Sequence, residues 1–215
     1  MNITIFGASG RTGLLLMDKA LQHGHHVTAF VRKTSRITTR HPLLQIVEGS
    51  LKNMDHLRRV LTGRQAVIST LGVARTLQHD PDVIEGIRNI TGAMSQEGVS
   101  RFIYQSVFLA HSQPDEFSFF ARNILRRIIR KEVEDHQVKE DLVRESVKSY
   151  TIVRPVRLTN GSYSGKFQHG ITITSGEFIP SISRADTAHF MLQQLEDGTY
   201  LNKAVRLMRI ITGTN

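Results

Sequence analysis

Three glycines near the start of the chain have the spacing of a phosphate-binding turn. Gly7, Gly10 and Gly13 follow the apolar run 3–6 and open a helical pattern. In that context the first glycine permits a tight turn, the second lets the backbone approach a pyrophosphate, and the third allows close helix–strand packing. The N–H groups at the start of the helix would bind the phosphate oxygens. The spacing therefore predicts a dinucleotide site.

The second predicted strand, residues 25–31, ends without an acidic residue. Folds that bind NAD place Asp or Glu there, on the ribose 2′-hydroxyl. This chain instead has Arg32, Lys33 and Arg36, with Arg11 in the glycine turn itself. Because guanidinium groups pair well with phosphate, we predict NADP(H) as the cofactor. A basic loop exposed to solvent is the alternative interpretation.

The elements that position these residues alternate along the chain. The predicted strands are 3–6, 25–31, 43–47, 66–71, 101–106, 150–154 and 203–211, and the predicted helices are 14–23, 54–61, 81–97, 135–146 and 183–195. Residues 166–178 have the alternation of a short hairpin or an extended loop. Ser183, with Asp186 three residues later, has the spacing of an N-terminal cap for the helix 183–195. Strands separated by such helices indicate βαβ units. We therefore predict one domain over residues 1–215, a Rossmann-type α/β fold whose doubly wound parallel sheet carries helices on both faces.

Several motifs along the chain resemble the atypical short-chain dehydrogenase/reductases. They are the glycine turn, Ala66-Val-Ile-Ser-Thr-Leu-Gly72, Gln105-Ser106, Tyr150-Thr-Ile-Val-Arg-Pro155 and Ser183-Arg-Ala-Asp186. Within that group the chain is similar to the biliverdin reductase B/flavin reductase-like and the NmrA-like NAD(P)-binding proteins. The resemblance implies an NADP-type cofactor and reduction of a bulky conjugated acceptor.

The glycine turn and the resemblance together indicate which residues would form the cofactor and catalytic site. The candidate cofactor-binding residues are Gly7, Ser9, Gly10, Arg11, Thr12, Gly13, Arg32, Arg36, Ser50, Leu51, Leu71, Gly72, Ser106 and Pro155. The candidate catalytic residues are Ser106, Arg157 and His136. Relatives usually have Asp where this chain has Ser50, so its contact with adenine is expected to be weaker.

Each candidate catalytic residue has a competing interpretation. The resemblance implies that Ser106 hydrogen-bonds the acceptor, whereas a polar side chain at a strand end would explain it equally simply. His136 occupies the place of the family lysine, and a histidine on a helix surface is the alternative. Arg157 stands where relatives carry a histidine, which would suit an anionic acceptor. Phenylalanines between residues 108 and 120 would either stack on a flat acceptor or pack a lid on the core.

The Tyr-x-x-x-Lys pair of the classical reductases is missing from residues 132–139. Reduction of a simple ketone needs a positioned proton donor, whereas a flavin or tetrapyrrole takes its proton from solvent or from its own ring nitrogen. We therefore predict an NADPH-dependent reductase that transfers hydride to a flavin, quinone or similar conjugated acceptor. The alternative is a non-catalytic NmrA-like sensor that binds NADP and reports its level to a partner.

The charge of the chain first suggests a nucleic-acid partner. It has 28 Lys+Arg and 19 Asp+Glu, a formal net charge of +9. Residues 121–131 read as an amphipathic basic helix with Arg122, Arg126 and Arg130 at i, i+4 spacing. Because no helix-turn-helix, RNA-binding aromatic or zinc-finger pattern accompanies it, we predict no nucleic-acid partner.

Composition excludes several other classes of protein. The chain has no cysteine, so disulfides, thiolate metal sites and a cysteine nucleophile are excluded. The histidine spacing predicts no metal site, and no apolar run has the length of a membrane span. With no secretory signal pattern, we predict a cytoplasmic monomer or homodimer without a membrane partner.

Overall fold

The computed structural model describes residues 1–34, 37–72, 81–110, 119–173 and 179–210, and only the backbone of 119–130 and 132. The strands are β1 (Asn2–Phe6), β2 (His26–Val31), β3 (Leu44–Glu48), β4 (Ala66–Ser69), β5 (Arg101–Gln105), β6 (Ser149–Pro155), β7 (Arg157–Thr159), β8 (Phe167–Gly170), β9 (Ser181–Ser183) and β10 (Lys203–Arg209). The helices are α1 (Arg11–Gln22), α2 (Met54–Leu61), α3 (Pro81–Gln96), α4 (Phe119–Ser146) and α5 (Arg184–Gln193).

The main sheet of the described residues has the strand order β3-β2-β1-β4-β5-β6-β10-β8. Its neighbouring strands are parallel except β8, which runs antiparallel to β10. The order reverses between β1 and β4, and in such sheets ligands bind at the carboxyl ends of the strands on either side of that point. The predicted Rossmann-type α/β fold is confirmed.

Both faces of the sheet are buried, which explains why its strands read as short apolar runs. Ile3 and Ile5 of β1 point to the face covered by α1 and α5, where they join Leu16 and Met191. Phe6 points to the opposite face, where α2, α3 and α4 complete a second core cluster with β5. The side-chain alternation of each strand thus supplies one residue in turn to each cluster.

Two helix starts are fixed by side-chain caps. Asn53 accepts a hydrogen bond from the His56 N–H at 3.0 Å and caps α2. Ser183 accepts from the Asp186 N–H at 2.9 Å and caps α5, as its spacing predicts. Because β9 ends at Ser183, this cap also fixes the point where the chain turns from strand to helix.

The structure differs from the predicted elements in three places. Residues 121–131 and 135–146 belong to one continuous helix, α4. Residues 167–170 form β8 on β10 rather than a local hairpin, and residues 174–178 lie outside the described part of the chain. The short parallel pair β7–β9 is not predicted from the sequence. None of the described helices is long and apolar enough to cross a membrane.

Candidate functional site

The three glycines of the turn between β1 and α1 lie where a side chain would crowd the backbone. Gly7 has a φ of +79°, and a Cβ there would lie 2.9 Å from the Thr70 carbonyl carbon. A Cβ on Gly13 would lie 2.1 Å from the Gly7 carbonyl oxygen, and one on Gly10 would lie 3.1 Å from the same atom. The turn therefore folds back on itself and on the end of β4, so glycine is required at Gly7 and Gly13.

The turn leads directly into the N-terminus of α1. Gly10 is the N-cap residue, and the Leu14 N–H donates to the Gly10 carbonyl at 2.9 Å as the first helical bond. No side chain caps this helix, and its first turn has no acidic residue. The N–H groups of Arg11, Thr12 and Gly13 are thus offered to an anion. Together with the glycine cradle, this arrangement fits a dinucleotide pyrophosphate.

The end of β2 presents the predicted basic residues to solvent. Arg32 and Lys33 are exposed, and Arg36 lies outside the described residues. The loop is held by the Thr34 N–H, which donates to the Glu48 carboxylate at 3.1 Å. Glu48 ends β3 beside Val31, and sequence reasoning missed it because its partner is on the neighbouring strand. Arg32 and Lys33 thus lie directly before a residue that is hydrogen-bonded to the end of β3.

The segment after β3 has a structural role in addition to its predicted cofactor contacts. The exposed Ser50 hydroxyl accepts from the Lys52 N–H at 3.2 Å, and this turn leads into α2. Leu51 packs against Gly86, where an added Cβ would lie 2.6 Å from Leu51 Cδ1. The Leu51 carbonyl accepts from the Asn89 amide at 2.9 Å. These contacts hold the segment against α3.

The end of β4 reaches the glycine turn through a side chain. The Thr70 hydroxyl lies 3.2 Å from the Gly7 carbonyl oxygen and donates to it. The half-buried Leu71 and the exposed Gly72 follow directly, and the Leu71 N–H donates to the Ser69 hydroxyl at 3.4 Å. The predicted contacts of the turn and of β4 are therefore brought together at the carboxyl edge of the sheet.

Ser106, His136 and Tyr104 form a buried polar group behind that edge. Ser106 Oγ lies 3.4 Å from His136 Nδ1, and the Tyr104 hydroxyl lies 3.2 Å from the same atom. The Ser106 N–H donates to the Val153 carbonyl at 2.8 Å, which ties the end of β5 to β6. The surface-histidine interpretation is wrong, because only 4% of His136 is exposed.

The burial of this group sets its protonation states. Desolvation, and then the positive charge of Lys139, lower the pKa of His136 to about 3. Burial raises the pKa of Tyr104 well above its usual value, and the charges of Glu140 and Asp135 raise it further. At neutral pH both side chains are therefore uncharged. His136 Nδ1 can then accept a hydrogen bond from the Ser106 or the Tyr104 hydroxyl.

A buried ion pair fixes α4 beside this group. The Glu140 carboxylate is fully buried and accepts from Arg154 Nε at 2.9 Å and from Arg154 Nη2 at 2.5 Å. Arg144 Nη2 donates to the same carboxylate at 3.1 Å. Because Arg154 belongs to β6, the pair sets the position of α4 on the sheet, and with it the position of His136 one turn earlier.

The chain after β6 carries the remaining predicted residues. Pro155 is buried, and its carbonyl accepts from the Phe108 N–H at 3.0 Å. Arg157 begins β7 and is exposed. Phe108 is buried beneath the Arg206 guanidinium, 5.1 Å from its ring centroid, so it packs in the core. Phe117 lies outside the described residues. Within the described part of the chain, no group of three His, Asp or Glu could hold a metal ion.

Comparison with known proteins identifies the same cofactor class. Residues 7–198 match the model of a family described as NAD(P)H-binding. A 3-beta-hydroxysteroid dehydrogenase from Mycolicibacterium neoaurum is 31% identical over 113 residues. That match covers 47% of this chain and 31% of the dehydrogenase, so the chain aligns with only about a third of that protein.

Solved structures support the fold over the full chain. The oxidoreductase ylbE from Lactococcus lactis has a TM-score of 0.82 at 19% identity, with 99% of this chain and 93% of ylbE covered. The anaerobilin reductase ChuY from Escherichia coli O157:H7 has a TM-score of 0.78 at 20% identity, with both chains covered completely. A short-chain dehydrogenase/reductase from Veillonella parvula, solved with NADP, has a TM-score of 0.76 at 22% identity, with 96% and 93% covered. The glycine cradle, the fold and the family match agree: this chain belongs to the NAD(P)H-binding family of Rossmann-fold proteins.

Proposed function

We propose that this protein is an NADPH-dependent reductase that transfers hydride to a flavin, a quinone or a similar conjugated acceptor. The observation that carries the proposal is the uncharged Ser106–His136 pair, which is buried at the carboxyl end of β5, next to β4, whose end contacts the glycine turn. Such a pair offers hydrogen bonds to an acceptor but no readily released proton. It suits an acceptor that obtains its proton elsewhere.

The residues on the cofactor side of the site support a preference for NADPH. The N–H groups that open α1 bind the pyrophosphate, and the glycine cradle lets the backbone approach it. Arg32 and Lys33 follow β2, where the 2′-phosphate of NADPH would lie. Glu48 holds this loop through the Thr34 N–H, so the cations are presented from a fixed backbone. Bound NADPH supplies the hydride.

On the acceptor side, the chain orients the acceptor and excludes water. Ser106 is 2% exposed, so its hydroxyl is shielded from bulk water. Because the Tyr104 hydroxyl can donate to His136 Nδ1 at 3.2 Å, the Ser106 hydroxyl is left to donate to a carbonyl oxygen of a flavin or quinone. A flavin takes its proton from solvent or from its own ring nitrogen, and a quinone takes its proton from solvent, so a charged histidine is not needed.

The proposal is tested by mixing the protein with NADPH and either FMN or dichloroindophenol, and by following the absorbance of the reduced nicotinamide. We expect turnover that depends on the protein, with NADPH preferred over NADH. Equal affinity for NADH and NADPH would refute the cofactor preference. Tight NADPH binding without turnover across flavins and quinones would refute the reductase and favour the NmrA-like sensor.

A further inference from the structure

Arg184 is a half-buried cation whose hydrogen bonds are to neutral groups. It is the first residue of α5, directly after the Ser183 cap. Its Nη1 donates to the Asn160 side-chain oxygen at 2.7 Å and to the Leu158 carbonyl at 3.3 Å. These bonds orient the guanidinium but do not neutralise it. Leu158 belongs to β7, so Arg184 is tied to the segment that follows β6.

A second arginine lies at the same end of the neighbouring helix. Arg11 is the first residue of α1, which packs beside α5. The two helices run in the same direction, because α1 leads into β2 and α5 leads into β10, which are parallel strands of one sheet, and both helices cover the same face of it. The first residues of both helices therefore lie at the carboxyl edge of the sheet. Burial lowers the pKa of Arg184, and the positive charge of Arg11 lowers it further.

The nearest acidic side chain in sequence does not neutralise this pair. Asp186 accepts hydrogen bonds from the Ser183 hydroxyl at 2.7 Å, the Ser164 N–H at 2.8 Å and the Gly165 N–H at 3.0 Å. Burial alone would raise the pKa of Asp186, but these hydrogen bonds outweigh burial and lower it. Its charge is thus directed at the loop 164–165. Among the described residues, neither Arg11 nor Arg184 forms an ion pair with a carboxylate.

We propose that Arg184, together with Arg11, binds an acidic group, a phosphate or a carboxylate, carried by the acceptor. This inference rests on the proposed function and assigns the acceptor to anionic conjugated molecules. The cofactor extends along the carboxyl edge, with its 2′-phosphate at β2 and its pyrophosphate at α1. Arg184 is hydrogen-bonded to Leu158 of β7, which directly follows Arg157, a candidate contact of the acceptor. Two cations held together without a carboxylate are stabilised when an anion binds between them.

The test compares acceptors that differ by one acidic group. The probes are FMN and riboflavin for phosphate, and anthraquinone-2-carboxylate and 2-(hydroxymethyl)anthraquinone for carboxylate. Binding to the NADP⁺-loaded protein is measured by calorimetry or flavin fluorescence. We expect at least one anionic probe to bind about ten-fold more tightly than its neutral partner, and Arg184→Gln to remove most of that preference. The matched control is Arg59→Gln, which changes an exposed arginine in the last turn of α2.

The outcomes distinguish a role of Arg184 in binding the acceptor from a role in binding the cofactor. No preference for either anionic probe in the native protein would overturn the inference. A weaker NADP⁺ affinity in Arg184→Gln with the preference intact would also overturn it, because the arginine would then serve the cofactor. Should Arg184→Gln fail to fold, Asn160→Ala carries the same comparison, because Asn160 is exposed and its side-chain oxygen orients the Arg184 guanidinium. Selective binding of an anionic probe without turnover would support the anion site while refuting the reductase.

Discussion

The buried His136 makes the stability of the fold depend on pH in a direction that can be measured. In the folded protein its pKa is lowered from 6.5 to about 3, whereas in the unfolded chain it has its ordinary value. Between these pH values the unfolded chain binds a proton that the folded chain does not. The contribution of His136 to the free energy of unfolding is therefore complete above pH 6.5 and decreases as the pH falls toward 3. Each pH unit costs about 1.4 kcal/mol, so folding at pH 5 loses about 2 kcal/mol, a large part of the 5–15 kcal/mol typical of a domain.

The assay is urea-induced unfolding at pH 7.5, 6 and 5, for the native protein and for His136→Asn. Asparagine keeps a polar acceptor near the place of Nδ1 but does not titrate. At pH 7.5 the variant is expected to be the less stable protein, since the Tyr104 and Ser106 contacts are altered. That difference should shrink by about 2 kcal/mol at pH 5, because only the native protein loses stability through residue 136. His26→Asn, which changes an exposed histidine, should follow the native protein at every pH.

A stability difference that stays constant between pH 7.5 and 5 would refute this reasoning. It would mean that His136 takes up a proton in the folded protein as readily as in the unfolded chain. His136 could then act as a general acid near neutral pH, and the argument that the acceptor must obtain its proton elsewhere would lose its basis. One measurement of stability therefore also tests the chemistry assigned to the site.

Two further variants test the cofactor loop and the position of α4. Arg32→Glu should weaken NADPH binding roughly thirty-fold while leaving NADH affinity nearly unchanged, as measured by calorimetry, because a phosphate contact becomes a repulsion; Arg59→Glu is its control, and equal losses for both cofactors would contradict the prediction. Glu140→Gln leaves the buried Arg154 without its charged partner and should cost about 3–5 kcal/mol of unfolding free energy, whereas the exposed Glu145→Gln on the same helix should cost little; equal effects would show that the ion pair does not hold α4 in place.

The features that sequence reasoning predicted are local. The glycine turn and the Ser183–Asp186 cap each involve residues within one turn of the chain, so their spacing alone indicates the contact. The Tyr104–His136 contact instead joins β5 to α4 across 32 residues. No short spacing signals such a pair. The sequence therefore does not predict Tyr104 as a partner of His136, because the Tyr-x-x-x-Lys pattern would place its tyrosine on the helix and not on the strand.

The length of α4 escaped prediction for a related reason. The inward positions of its second half are polar, since Asp135, His136, Lys139 and Glu140 are all buried. A search for apolar residues at helical spacing finds no continuous stripe there, and the sequence divides into two helices. Part of this polar face is hydrogen-bonded to residues of the sheet, with Arg154 bound to Glu140 and Tyr104 bound to His136. The strands β7 and β9 have three residues each, which is too short for an alternation to be recognised.

The basic side chains that the structure describes divide into those that pair with a carboxylate and those that do not. Arg58, away from the carboxyl edge of the sheet, pairs with Glu97 at 2.9 Å, and Lys52, in the loop that follows β3, pairs with Asp82 at 2.7 Å. At that edge, Arg11 and Arg32 have no carboxylate partner among the described residues, and Arg184 bonds only to neutral oxygens. Repulsion between such cations opposes folding unless an anion offsets it. A cofactor with three phosphate groups and an acidic acceptor would both supply that anion, so the excess charge is more consistent with small phosphorylated or carboxylated ligands than with a nucleic-acid partner.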